Sequence, residues 1–228
     1  MWPLTIKQFL ATWTQTDIKP FIPISDQPEF IKNLSSQSII IVGNGPSAIG
    51  QDKGSAIDAF DSVVRINNYV TKGLESQVGS RTDIWVNGAN QGLKKRFDFP
   101  DNILVMIPPV VLDRKGDAIH RRIQNRLGTA AYTLLAMDIM SEMEASCGIK
   151  RPTTGFFSIY FFYLLGLDVT LHGFDFFVGS KAHYFDGAVK RWLKDKGIIR
   201  KADKHDVGAE KKFVEDLIQR AEIKLLQG

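Results

Sequence analysis

The stretch Ile39-Ile40-Ile41-Val42-Gly43-Asn44-Gly45-Pro46-Ser47 decides how this chain is read. Four β-branched residues in a row suit a strand buried on both faces, and the Gly and Pro that follow end it abruptly. In an open α/β sheet the ligand crevice lies beyond the carboxyl ends of the strands. Gly43 and Gly45 let backbone N–H groups approach a phosphate, and Asn44 adds a side chain with both donors and acceptors. The first expectation is a nucleotide-binding turn.

That turn fits neither of the two common phosphate motifs. Gly43-x-Gly45 has no third glycine at the dinucleotide spacing, Pro46 sits inside the turn, and no Gly-Lys-Ser/Thr follows for a P-loop. The chain also has no Asp-x-Asp pair to hold a divalent cation against a nucleoside diphosphate. A nucleotide-sugar donor, if there is one, is then expected to carry a single phosphate. Such a leaving group needs less charge neutralised, and His, Tyr and N–H donors suffice.

Working outward, apolar runs keep breaking at polar or glycine positions. Ser62–Asn67 reads as a second strand, carrying Arg65 and closing in Asn67-Asn68; Ile84–Asn87 as a third, closed by Gly88; Asn102–Ile107 as a fourth, stopped by Pro108 and Pro109. Asp168–Phe174 is a further buried strand broken at Gly173, with His172 as a core residue. The intervening Gly54–Phe60, Thr129–Ala145, Phe156–Leu165 and Val207–Leu226 have helical periodicity, and 110–128 reads as a basic loop with a short helix. Strand–helix alternation favours a mostly parallel sheet. Thr153 or Thr154 is placed to cap the apolar helix, whose N-terminus attracts an anion. Residues 1–37 give an amphipathic helix (Trp2, Leu4, Ile6, Phe9, Leu10, Trp13) and a Pro-rich connector packed on a single domain, 38–228.

Bulk properties narrow the class. At 228 residues with 44% hydrophobic and 24% charged residues, the chain has the composition of one folded domain. The single cysteine, Cys147, excludes an internal disulfide framework. The opening Met1–Lys7 lacks a charged leader before an apolar run, so no signal peptide and a cytosolic protein are expected. The four histidines, His120, His172, His183 and His205, share no metal-ligand spacing. The formal charge of +4 gathers in 114–126 and 181–212, a pattern for a solvated helical face or for an anionic partner such as a membrane surface. No nucleic-acid recognition motif accompanies it.

Two histidine clusters carry chemical interest: His183-Tyr184-Phe185-Asp186 on an expected loop, and His205, with Glu210 five residues on, before the last helix. A histidine deprotonates a hydroxyl near neutral pH, which a transferase acting on an alcohol needs.

Taken in order, these segments resemble the sialyltransferases whose animal members carry four sialylmotifs, glycosyltransferase family 29. Val42-Gly43-Asn44, Ile57-Asp58, Asp61-x-Val63-Val64-Arg65-Ile66-Asn67 and Gly79-Ser80-Arg81-Thr82-Asp83 are similar to the long motif. Arg151-Pro152-Thr153-Thr154-Gly155 through Val169–Phe174 is similar to the short one, His183–Asp186 to the third, and His205-x4-Glu210 to the very short one. The match runs across residues 39–210.

The resemblance implies a GT-A-like, Rossmann-type α/β fold and a metal-independent, inverting transferase that takes a CMP-activated acidic sugar, with no cofactor. It implies that Asn44 and Asn67, with Gly43 and Gly45, contact CMP. Thr153, Thr154 and Gly155 would hold the ribose or the donor carboxylate, and His183 and Tyr184 the departing phosphate. His205 would be the general base, with Arg65, Asp186 and Glu210 in support. Gly45-Pro46-Ser47 departs from the Ser-Gly expected after Asn44, and Gly-Asn-Gly-Pro-Ser is similar to a different, bacterial sialyltransferase family. A bacterial cytoplasmic enzyme acting on lipooligosaccharide or capsule, with peripheral contact to an anionic inner membrane, is the expectation. The alternatives are a CMP-Kdo-dependent transferase and a nucleotide- or glycan-binding module without catalysis.

Overall fold

Ser38–Val42 forms β1, and its residues divide strictly between the two faces: Ile39 and Ile41 enter one hydrophobic cluster, Ile40 and Val42 another. In this computed structural model, which describes residues 31, 33–34, 37–128, 130–175, 184 and 205–227, β1 lies inside one parallel sheet. Its partners are β2 (Ser62–Ile66), β3 (Ile84–Asn87), β4 (Asn102–Val105), β5 (Thr133–Leu134), β6 (Asp168–His172) and β7 (Lys224–Leu225). The strand order is β5-β4-β3-β2-β1-β6-β7, and every neighbouring pair is parallel. The chain walks outward from β1 to β5, then returns to lay β6 against the other side of β1. That reversal makes the carboxyl ends of β1 and β6 the topological switch point, near which open α/β sheets bind ligands.

Helices cover both faces. α1 (Gly54–Asp58) and the short α2 (Glu75–Val78) follow β1 and β2. α3 (Pro109–Leu127) buries Ile119, Ile123 and Leu127 against Trp85, Ile103 and Val105. On the opposite face come α4 (Met137–Cys147), α5 (Thr154–Leu164) and α6 (Val207–Gln219). α5 is apolar all round, and Phe156–Leu164 are all buried, as a helix covered on every side must be. The sheet lies on one side of it; Phe213 of α6 meets Phe156 and Tyr160 edge-on, each at 5.3 Å. Ile31 and Leu34, from the connector, are buried in the same cluster; the expected helix before them lies outside the described residues.

Three expectations change. Residues 110–128 are not a loop with a short helix but belong to the 19-residue α3, kinked at Lys115, where φ is −139°. Thr129–Ala145 is not one helix. Thr133 and Leu134 leave the helical path to pair with Leu104 and Val105, and α4 starts only at Met137. The closing helix stops at Gln219; Ala221 takes a left-handed φ of 55°, and the chain turns back to pair Lys224 and Leu225 with β6. Both short strands exist through tertiary pairing, which overrides local periodicity.

Candidate active site

The glycines of the opening stretch are explained by the neighbouring strand. A Cβ on Gly43 would lie 2.3 Å from the Gly173 carbonyl oxygen, and one on Gly45 2.3 Å from Asp175 Oδ2. Gly43 N donates to His172 O at 2.7 Å and Gly45 N to Gly173 O at 2.9 Å. Both N–H groups are thus engaged with β6 and the turn after it, so what these glycines offer a ligand is close backbone approach rather than donors. Pro46 opens a 3₁₀ turn, Pro46–Ala48, where its missing N–H has no helical partner to lose. Asp175 Oδ2 accepts from Ser47 N, and His172 Nε2 meets Ala48 O at 3.1 Å. Burial holds the His172 imidazole below the usual histidine range, and it ties the turn down.

Asparagines line the strand ends beside this turn. Asn44 Nδ2 donates to Ile66 O at 2.7 Å, while its buried Oδ1 has no hydrogen-bond partner among the described residues. Asn67, held in the left-handed region at φ 52°, accepts on Oδ1 from Gly88 N at 3.0 Å and from Asn90 Nδ2 at 3.4 Å. Asn87 is fully buried; its Oδ1 accepts from Ala89 N while its Nδ2 has no partner among the described residues. Unpaired buried amide atoms are costly, and two of them at one sheet edge mark a place built for something besides folding. Gly88 then lets α5 come near, since a Cβ there would lie 2.4 Å from Thr154 Oγ1. The structure therefore brings Asn44, Asn67 and Thr154 onto one edge and adds Asn87 and Asn90. The sequence offers a signal for Asn87, a polar residue closing a buried apolar strand before Gly88, but none for Asn90, which lies in the loop beyond.

The start of α5 meets the start of α6. Thr153 caps α5, its Oγ1 accepting from Phe156 N at 3.2 Å. Its own N–H and hydroxyl both donate to Glu210, to Oε1 and Oε2, each at 2.7 Å. Glu210 is 1% exposed, and burial pushes its carboxyl up to about 7, against the lowering effect of the Thr153 bonds. Asp206 caps α6 by accepting from Ala209 N. His205 stands one residue earlier, exposed to solvent, with Nδ1 2.7 Å from Arg151 O. A carbonyl only accepts, so Nδ1 carries the proton and the lone pair of neutral His205 sits on Nε2. An exposed imidazole with its basic nitrogen set by a backbone carbonyl can take a proton from a hydroxyl.

The remaining expected residues fall in different places. Tyr184 is buried; its N–H donates to Asn44 O at 3.0 Å, and its hydroxyl donates to Val70 O at 2.7 Å while accepting from Val70 N. Burial raises that phenol above its ordinary range. Arg65 is fully buried under the sheet edge and donates to Arg81 O, Thr82 Oγ1, Val78 O and Gly79 O, fastening the loop between α2 and β3. Gly155 lies in the first turn of α5. His183 and Asp186 lie outside the described residues, as do the cations of the basic stretch from Lys181 to Lys204. No group of three His, Cys, Asp or Glu side chains that could hold a metal occurs among the described residues.

A Pan troglodytes type 2 lactosamine alpha-2,3-sialyltransferase is 24% identical over 219 residues, covering 82% of this chain and 64% of that protein. A Mus musculus CMP-N-acetylneuraminate-beta-galactosamide-alpha-2,3-sialyltransferase 4 is 34% identical over 89 residues, 38% of this chain and 26% of that one. The chain thus spans less than two thirds of the length of either relative. Its fold is similar to a mammalian sialyltransferase crystallised with Gal-beta-1-3GalNAc-ortho-nitrophenol (TM-score 0.66, 16% identity, 100% of this chain and 91% of that chain). It is also similar to the monofunctional alpha-2,3-sialyltransferase Cst-I of Campylobacter jejuni (TM-score 0.56, 18% identity, 84% and 76%). The family model of glycosyltransferase family 29 (sialyltransferase) matches residues 5–103 and 127–222, the span that holds the strand-end asparagines, the Thr153 cap and His205. With that match over most of its length, the chain belongs to glycosyltransferase family 29, the sialyltransferases.

Proposed function

We propose that this protein moves sialic acid from CMP-sialic acid to a hydroxyl of a glycan acceptor, with inversion and without a metal. The observation that carries the reading is the Nδ1–H bond from His205 to Arg151 O, which leaves Nε2 as the base at the meeting point of two helix N-termini. In the reaction Nε2 takes the acceptor hydroxyl proton, the acceptor oxygen bonds to the anomeric carbon, and the bond from that carbon to the phosphate oxygen breaks. CMP leaves with the electron pair. Asn44 and Asn67 hold the nucleotide between the ends of β1 and β2. Thr153 is committed to Glu210 and Phe156 N, so of the α5 residues Thr154 and Gly155 face the donor's carboxylate or ribose. His183 attends the phosphate, where donors act on charge that grows as CMP departs; Tyr184, its hydroxyl bonded to Val70 and its N–H to Asn44 O, supports the turn that carries Asn44.

We read the sheet as a GT-A-like, Rossmann-type arrangement in one transferase domain, 38–228. We place the protein in the cytoplasm, peripheral to an anionic inner membrane, with lipooligosaccharide or capsule as acceptor. The lone Cys147 and the cations of α3 are consistent with that setting. The experiment is CMP release from CMP-sialic acid and, separately, CMP-Kdo, in EDTA, with and without glycan acceptors. Acceptor-dependent turnover of CMP-sialic acid despite the chelator supports the reading. Turnover of CMP-Kdo alone replaces the donor, and binding of CMP with no turnover of either makes the protein a non-catalytic module.

A further inference from the structure

Three described non-glycine residues around the site have left-handed backbone, Asn67, Ala89 and Arg151, and the last is the least expected. Arg151 has φ 53° although Pro152 follows it and its own side chain gains nothing from that region. Such strain persists only where the surroundings hold it in place. Here two contacts hold it from opposite sides. Glu144 Oε1 accepts from Arg151 N at 2.7 Å, and Arg151 O accepts from His205 Nδ1, also at 2.7 Å.

Glu144 stands in the last turn of α4, which contains no basic residue. A carboxylate at a helix C-terminus opposes the helix dipole and the exposed carbonyls there, so its position is not explained by α4 itself. Its explanation is the N–H it reaches seven residues later.

We propose that Glu144 is a positioning residue for His205, acting through the strained peptide of Arg151. The carboxylate holds the Arg151 N–H, which keeps residue 151 at positive φ. That conformation aims the Arg151 carbonyl at Nδ1, and the carbonyl fixes both the ring and its tautomer. The role concerns the proposed base and so rests on the reading of His205, but its spectroscopic consequence does not.

The test compares two near-isosteric changes. Glu144→Gln keeps an acceptor oxygen at the same reach without charge; Glu144→Asp keeps the charge and withdraws the oxygen by one methylene. Glu144→Gln retains most of kcat with CMP-sialic acid and holds the His205 proton on Nδ1, read by ¹⁵N shifts of the ring. Glu144→Asp loses roughly tenfold to a hundredfold in kcat, the scale of a misplaced catalytic group, while KM for the donor stays within about twofold. Its ring nitrogens report a mixture of tautomers. Equal loss in both variants overturns the proposal, as does an unchanged kcat in Glu144→Asp. Nitrogen shifts that stay those of the Nδ1–H tautomer in Glu144→Asp overturn it whatever the rates. Should His205→Ala keep full activity, the base reading fails, and the coupling of Glu144 to His205 is then decided by the shifts alone.

Discussion

Glu210 and Thr153, 57 residues apart, form a closed pair: backbone N–H and side-chain hydroxyl of one donate to the two oxygens of the other, each at 2.7 Å. This pair clamps the N-terminus of α5 to the first turn of α6, so His205 and the α5 cap are held as one unit. It is also a buried carboxyl, and its titration should be visible in stability.

The sign follows from burial. The Glu210 carboxyl is raised from its ordinary 4.5 to about 7 in the folded protein, so between those values the folded state keeps a proton that the unfolded chain releases. The stabilisation is complete below the unfolded value and is lost as pH rises through the folded one. Relative to Glu210→Gln, which has no such proton, the wild type should lose roughly 3 kcal/mol between pH 4.5 and 8, as 2.5 pKa units imply. Urea unfolding of both proteins across that range checks it. A constant difference would mean that Glu210 titrates normally.

Thr153→Val removes the cap and one donor to Glu210 while conserving volume. About 1 kcal/mol is expected from the cap and a further 1–3 from the unpaired carboxylate oxygen. Thr153→Ser should keep nearly all of it. Chemical denaturation separates the two, and similar losses in both would place the cost in packing instead.

Gly43→Ala tests whether the opening glycine answers to β6. The new Cβ would lie 2.3 Å from a backbone oxygen, which cannot swing aside as a side chain could. Destabilisation of about 2 kcal/mol or more is expected, of the size found for overpacked cores. A stable Gly43→Ala protein that has lost only nucleotide affinity would instead return this glycine to the ligand.

Asn44→Ala removes the bond to Ile66 O and the unpaired Oδ1 together. Because a buried acceptor without a partner is itself a cost, its loss should leave stability within about 1 kcal/mol. Affinity for CMP, measured by calorimetry, should fall at least about tenfold, the equivalent of one good hydrogen bond at ~1.4 kcal/mol. Unchanged CMP affinity would remove Asn44 from the nucleotide site.

The sheet was legible because its buried strands are mostly apolar runs stopped by glycine, asparagine or proline, and parallel strands between helices have that signature. The α5 cap was legible for a local reason, since Thr153 and the helix it starts are adjacent in sequence. β5 and β7, two residues each, were not legible: they exist only as edge pairings to β4 and β6. The packing demand on Gly43 and Gly45 was not legible, for the neighbour that makes it, Gly173 to Asp175, is about 130 residues away along the chain. His205 and Glu210 were found as a pair, yet their partners Arg151 and Thr153 were invisible as partners, because each bond spans more than 50 residues.

A single-turnover assay with CMP-sialic acid and a glycan acceptor decides whether His205 takes the acceptor proton. His205→Ala is expected to bind CMP normally but to transfer sialic acid at least about a hundredfold more slowly, the usual contribution of a positioned base. Transfer by His205→Ala at the wild-type rate would contradict it.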